Sequence, residues 1–310
     1  MKILVTGGAG FIASHVSDLF LSKGHKVVVL DNLSGGKREN VPRAARFVKL
    51  DIRDARGVEA LFKKERFDVV DSHAAQMSVP ASVEDPRLDA DINVLGILNL
   101  LEASRKTGVR KFIHVSSGGT VYGAPKKLPI TEKYPILPMS PYGITKAVGE
   151  DYLRFYRAEH GLKYSVLRYS NVYGPRQLPH GEAGVVAIFI QKLLAGGVPT
   201  IFGDGSVIRD YVYCGDVARA NLALLTRGDG EAYNIGTGVP TNLKKLFSVI
   251  AREMGYRGKP KYGPPRPGDL KANVLDFGKA RRELGWKPEV DFAEGIRRTA
   301  DYFRSQGPRR

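Results

Sequence analysis

The sequence predicts an α/β fold: a doubly wound parallel sheet with helices on both faces and a smaller mixed α/β lobe at the C-terminal end. Three observations carry this. The chain opens on an apolar run, Ile3, Leu4 and Val5, that stops at a glycine-rich turn and flows into a helix, and such runs belong to strands covered on both faces. A second run at residues 26–31, KVVVLD, ends in an acid. Strand-like and helix-like stretches then alternate with short turns, the pattern of the crossover units that build parallel sheets.

In chain order, Gly7, Gly8 and Gly10 let the backbone turn tightly and approach a ligand, and the first N–H groups of the following helix point at it. A pyrophosphate suits that place. The spacing is Gly7-x-x-Gly10-x-x-Ala13, with alanine where a third glycine would bring helix and strand together. Asp31 lies about 20 residues beyond the glycines, where a carboxylate accepts a ribose 2′-hydroxyl and repels a 2′-phosphate. That favours NAD over NADP, although Lys37 and Arg38 follow close behind. A strand at 46–50 runs into Asp51-Ile-Arg-Asp54, and a helix near 56–65 leads to the strand FDVVDSHAA, which ends at Ala74 and Ala75. A helix at roughly 86–107 carries an apolar face of Ile92, Leu95, Leu98, Leu100 and Leu101, with Asn93 near its middle. The strand KFIHVSS (111–117) precedes the turn TVYG. Asp31, Asp51, Ala74 and Ser116 all fall at the carboxyl ends of strands, where open sheets of this Rossmann type hold their ligands.

The second half is less regular. A helix begins near Pro141, a residue suited to a first turn, and runs to about His160. A strand at 163–170 returns to the sheet. Beyond Gly174 the expected elements are a helix near 184–196, an extended piece PTIFGDGS, a strand near 209–213, a helix at 216–226, the strand EAYNIG, and helices near 241–254, 276–284 and 291–305. This divides the chain into a dinucleotide-binding domain, 1–173, and a smaller lobe, 174–310, with segments exchanged between them.

Composition narrows the function. The 310 residues carry a formal net charge of +16, with 43% hydrophobic and 26% charged residues, ordinary for a globular protein. The basic residues are scattered without a dense arm or aromatic stripe, so the charge suits a nucleotide better than a nucleic acid. No signal-like segment opens the chain and no run reaches membrane-span length, which predicts a cytoplasmic protein with no membrane partner. The single cysteine, Cys214, excludes an internal disulfide and a cysteine-built metal site; no metal is expected.

The sharpest chemistry is Tyr142-Gly-Ile-Thr-Lys146. Positions four apart share a helix face, and a neighbouring ammonium stabilises the phenolate, lowering the tyrosine pKa from about 10 toward neutrality. Tyrosine then becomes a usable general base.

With these residues in view the chain resembles the extended short-chain dehydrogenases/reductases, and most closely the UDP-galactose 4-epimerases among them. The likeness runs nearly end to end: TGGAGFIA, DNLSGGKREN, DIRD, HAAQ, SSGGTVYG, SPYGITK, RYSNVYGPR, FGDGSVIRDYVYCGDVA, YNIGTG, RPGD and LGWKP. The resemblance implies NAD-dependent epimerisation at carbon 4 of a UDP-hexose through a transient 4-keto sugar. Tyr142 would be the base and Lys146 would bind the nicotinamide ribose. Gly7, Gly10, Phe11 and Ile12 would cradle the pyrophosphate, Asp31 and Asn32 the adenosine ribose, and Asp51 and Ile52 the adenine. Ala74, Gln76, Ser116 and Tyr169 would complete the cofactor site, and Asn93 would support the lysine. Thr120, Asn171, Thr200, Phe202, Arg209, Arg266 and Asp269 would meet the UDP-sugar.

One departure stands out. The family usually places a serine or threonine two positions before the threonine of TVYG, where its hydroxyl bonds the sugar; here that place is Gly118. Ser117 is the preferred substitute and Thr120 the other nearby hydroxyl; the alternatives are direct contact of Tyr142 with the sugar or no hydroxyl relay at all. Asn273 falls where the family lines the sugar's N-acetyl side, and its small size implies room for N-acetyl sugars. A UDP-N-acetylglucosamine or UDP-glucuronate epimerase is therefore the nearest alternative, and a non-catalytic NAD-binding regulator a distant one. The resemblance also implies a homodimer packed through the helices around Asn93 and Tyr142.

Overall fold

The computed structural model describes residues 1–178, 184–265 and 270–306. Its centre is a seven-stranded sheet. Six strands come from the first 169 residues: β1 (Lys2–Thr6), β2 (Lys26–Asp31), β3 (Arg46–Lys49), β4 (Val69–Ser72), β5 (Lys111–Ser117) and β6 (Lys163–Tyr169). The seventh is Glu231–Ile235, which lies outside β6, and the order from it is β6, β5, β4, β1, β2, β3. Every pairing is parallel. The chain winds outward from β1 to β3 and then crosses to β4 on the other side, so a crevice opens between the carboxyl ends of β1 and β4, the switch point where such sheets bind ligands.

The period-two geometry of a strand explains why β1 is apolar from Ile3 to Val5. Ile3 and Val5 enter a core formed with helices Phe11–Ser22 and Cys214–Leu224, through Val16, Phe20, Val217 and Leu224. Leu4 enters the opposite core with helices Ala55–Glu65 and Gly96–Thr107, through Leu61, Phe62, Leu100 and Leu101. Residues beyond 173 thus complete both the sheet and one of its helical layers. A third core joins helices Val185–Leu194, Leu243–Met254 and Phe292–Ser305 around Phe189, Phe247, Ile250 and Ile296. It builds the smaller lobe.

Two local departures from the sequence pattern matter for the site. The helical stretch expected over 86–107 is Pro86–Ala90, a π-helical turn Asp91–Leu95, and then Gly96–Thr107. The wider turn shifts the helical phase. Leu95, expected on the buried face, is 54% exposed, while Gly96 and Ile97 go inside. The strand expected near 209–213 is two pieces, Ile208–Arg209 and Tyr211–Tyr213. They part at Asp210, whose buried carboxylate accepts hydrogen bonds from the N–H groups of Thr237, Gly238 and Leu275 and from the Thr237 hydroxyl.

Candidate active site

The crevice is shaped by backbone first. Gly7 has φ +66 and sits so close to the chain after β4 that a Cβ there would lie 2.8 Å from the Ala74 nitrogen. Only glycine takes both the conformation and the contact. Gly10 caps helix Phe11–Ser22, placing Phe11 and Ile12 in its first turn with their N–H groups facing the crevice end. The buried Asp31 carboxylate accepts the Ala9 N–H at 3.0 Å and the Leu33 N–H at 2.7 Å, so the acid at the end of β2 also holds the glycine turn in place. Beside it the Asn32 amide donates to Asp51 at 2.8 Å. The Arg53 guanidinium, first, and the Asn32 amide hold the Asp51 carboxyl well below the usual carboxylate range. Ile52 is buried against Gly96. Turn, helix start, acid and amide lie in the order a dinucleotide needs, pyrophosphate at Gly7–Ile12 and ribose and adenine at Asp31–Ile52, and they fit that group.

At the other end stands helix Pro141–His160, capped by the Ser140 hydroxyl, which accepts the Gly143 N–H at 3.2 Å. Lys146 is 5% exposed and its ammonium donates to the Val115 carbonyl at 2.9 Å. Burial brings its pKa down to about 8, against the opposing pull of the Asp89 charge. The ammonium stands 5.8 Å from the centre of the Tyr142 ring. The motif read from the sequence is therefore a spatial pair.

Asn93 behaves differently from expectation. Its oxygen accepts the Gln76 N–H at 2.9 Å and its amide donates to the Gln76 carbonyl, to Asp89 and to the Thr145 hydroxyl. Thr145 in turn donates to Asp89 at 2.8 Å, and the Gln76 amide reaches the same carboxylate. Asn93 thus braces the residue beside Lys146 and the chain after β4, while Lys146 itself bonds β5. The π-helical turn places Asn93 there.

Glu150, which the sequence reading missed, lies one further helical turn along the same face as Tyr142 and Lys146. Its carboxylate accepts the Ser116 hydroxyl at 2.6 Å and grips Arg168 of β6 at 3.0 and 2.5 Å. Arg168 donates on to the Tyr122 hydroxyl, which donates to Asn234. The four-residue spacing from Lys146 was the available signal. This corrects the place of Ser116: its hydroxyl faces the helix and Glu150 rather than the crevice. Tyr169, also expected at the cofactor, turns to the opposite face of the sheet, where its hydroxyl bonds Asn221 and its ring lies 6.4 Å from that of His73.

Between β5 and the helix runs the turn Ser117–Gly118–Gly119–Thr120. The Ser117 carbonyl accepts the Thr120 and Val121 N–H groups at 3.1 and 3.0 Å. The Ser117 side chain is partly exposed, whereas the Thr120 hydroxyl is buried without a hydrogen-bond partner. A Cβ on Gly118 would lie 2.5 Å from the tip of the Leu275 side chain, so that side chain fills the space where the family's hydroxyl-bearing residue would begin. The buried Asn273 amide donates to the Gly118 carbonyl at 3.0 Å.

Asn171 lies on strand Asn171–Tyr173, just after β6; on the smaller lobe Thr200 and Phe202 lie on strand Thr200–Phe202, and Arg209 on strand Ile208–Arg209. The Arg209 guanidinium donates to the Ile208 and Leu270 carbonyls. Arg266 and Asp269 lie outside the described residues. Among the described residues no group of three or more histidine, cysteine or acidic side chains could hold a metal, and no helix is long and apolar enough to cross a membrane.

A model of the NAD dependent epimerase/dehydratase family matches residues 3–236. A UDP-glucose 4-epimerase of Mycolicibacterium smegmatis is 49% identical over 314 residues, covering 99% of each chain. The crystal structure of a UDP-glucose 4-epimerase from Thermotoga maritima with UDP-glucose superposes with a TM-score of 0.97 at 51% identity, over 99% of both chains. That of a Thermus thermophilus UDP-glucose 4-epimerase in complex with NAD gives 0.93 at 48%, over 98% of this chain and 99% of the other.

Proposed function

The chain belongs to the NAD dependent epimerase/dehydratase family, and from that premise we propose that it interconverts UDP-galactose and UDP-glucose by NAD-dependent epimerisation at carbon 4, with Tyr142 as the base. The observation that carries the proposal is the Tyr142–Lys146 pair at the carboxyl end of β5, facing a crevice whose other end is a dinucleotide cradle.

Gly7, Gly10, Phe11, Ile12, Asp31, Asn32, Asp51 and Ile52 would hold the cofactor's adenosine and pyrophosphate, and Lys146 its nicotinamide ribose. When bound, the nicotinamide supplies the acceptor and donor of hydride. The work of the chain's own residues is proton transfer and orientation. Tyr142 takes the proton of the sugar 4-hydroxyl, and the buried Lys146 ammonium stabilises the phenolate that does so. Ser117, at the start of the turn, offers the hydroxyl that Gly118 lacks. Asn171, Thr200, Phe202, Arg209, Arg266 and Asp269 would grip the uridine diphosphate, arginine matching phosphate oxygens with its planar fork. The 4-keto sugar can then turn about its diphosphate linkage and offer its other face.

Mixing Tyr142→Phe or the native protein with UDP-galactose and resolving the product epimers tests this. Native protein should form UDP-glucose and Tyr142→Phe should lose nearly all of that activity; undiminished conversion by the variant would remove Tyr142 from the base role. A panel adding UDP-N-acetylglucosamine and UDP-glucuronate fixes the preferred sugar.

The same reading includes a homodimer. Ile144 and Phe155 on helix Pro141–His160 are 49% and 51% exposed, with Val148 and Tyr152 partly exposed along the same stripe. Leu95 on the neighbouring helical segment adds to this apolar surface. A cytoplasmic location accords with the free, buried thiol of Cys214.

A further inference from the structure

Gly118 and Asn273, 155 positions apart, are bonded to each other. The segment that carries Asn273 is anchored on both sides. Asn273 pairs with Arg209 in a parallel register, Ala272 with Ile208. Two residues on, the Leu275 N–H donates to the Asp210 carboxylate at 3.2 Å, and the Val274 carbonyl accepts the Ile130 N–H at 2.8 Å. The Leu275 side chain occupies the space a Cβ on Gly118 would fill. One short segment, Ala272–Leu275, therefore touches the turn twice, through an amide on the Gly118 carbonyl and a side chain against its Cα, while its strand lies in register with an arginine assigned to the diphosphate.

We propose that Asn273 is a positioning residue that ties the diphosphate-gripping strand of the smaller lobe to the turn Ser117–Thr120, setting where Ser117 meets the sugar. The inference rests on the epimerase reading for its consequence, but the tie itself is a property of the fold. Three features support it. Asn273 is 4% exposed, so its amide must find a partner inside the protein, and the Gly118 carbonyl is that partner. The turn is built from two glycines and has little side-chain packing of its own to fix its conformation, so an external hydrogen bond weighs more there. The Gly118 N–H already bonds the Tyr169 carbonyl at 2.9 Å, so with Asn273 on its carbonyl the two peptides flanking Gly118 are both held, and with them the backbone that carries Ser117.

This also separates two roles for position 273. A residue that only lines the sugar pocket changes which sugars are accepted. A residue that holds the turn changes the rate for every sugar and leaves the grip on the nucleotide alone, because geometry at the reacting centre is needed for turnover and not for UDP binding.

The test uses Asn273→Ala, which removes the donor, and Asn273→Asp, which keeps the shape. Folding is checked by circular dichroism. Hydrogen–deuterium exchange of the peptide spanning Gly118–Val121 is measured in the unliganded proteins, and UDP affinity and turnover of UDP-galactose are measured beside it. We expect faster exchange in that peptide in both variants, UDP affinity within about twofold of native, and kcat reduced roughly tenfold, the scale of one lost hydrogen bond. Unchanged exchange in both variants overturns the tie, as does a loss confined to N-acetyl sugars. If native protein epimerises none of the UDP-sugars while the exchange difference is present, the epimerase reading fails and the tie stands.

Discussion

Lys146 is the residue whose environment says most about working conditions. In the proposed mechanism its ammonium stabilises the Tyr142 phenolate, yet burial brings its pKa down to about 8 from the usual 10.5. The charged form is the useful one and is lost as pH rises, so log kcat/KM should show a basic limb near pH 8. Lys146→Arg keeps its charge at all accessible pH values, so its residual activity should lack that limb. A limb that stays near pH 8 in the arginine variant would assign it elsewhere. Gly118 makes a second prediction. Alanine there places a methyl carbon where Leu275 already sits, and overpacking of this kind costs about 1–3 kcal/mol. Urea denaturation should show that loss for Gly118→Ala. Adding Leu275→Ala should cost less than the sum of the two single changes, because the pair shares one space.

At the scale of elements, helix Pro141–His160 is held against β5 and β6 by charge as well as by packing. Glu150 and Arg168 are 4% and 5% exposed and make two mutual hydrogen bonds. Arg168→Met would leave the Glu150 carboxylate buried with Ser116 as its remaining partner, a loss of roughly 3–5 kcal/mol. Replacing both, Glu150→Gln with Arg168→Met, should recover part of it. An unfolding midpoint unmoved by Arg168→Met would mean the ion pair does not hold this helix. The sequence showed the helix, since Pro141 marks its start, but it did not show the ion pair, whose members lie on different elements. The first two strands were legible for a similar reason: a strand buried on both faces carries a continuous apolar run, as at Ile3–Val5 and Val27–Leu30. The smaller lobe was legible only as a series of short elements. Its two-residue strands are fixed by partners far along the chain, such as Arg209 with Asn273, and no local period records them. The same holds for the tie of Asn273 to Gly118. Each residue stood out alone, and only the fold joins them.

For the whole molecule, the decisive balance is between an apolar stripe and a strong net charge. Leu95, Ile144 and Phe155 stand about half exposed on adjacent helical segments, partly because the π-helical turn rotates Leu95 out of the core. In a two-fold dimer the same stripe would meet its copy, so each substitution acts twice. Against this, two chains of formal charge +16 repel one another. Salt screens that repulsion over about 10 Å at 0.1 M and leaves apolar burial in place. Association driven by the stripe should therefore strengthen as salt rises, whereas one driven by complementary charges should weaken. Sedimentation velocity across a salt series reads the difference directly. Phe155→Glu or Leu95→Glu should shift the protein to monomer with its helix content unchanged, because both side chains already lie at the surface and neither fills a core. A dimer that persists in both variants, or that dissociates as salt is added, would place the contact on another face.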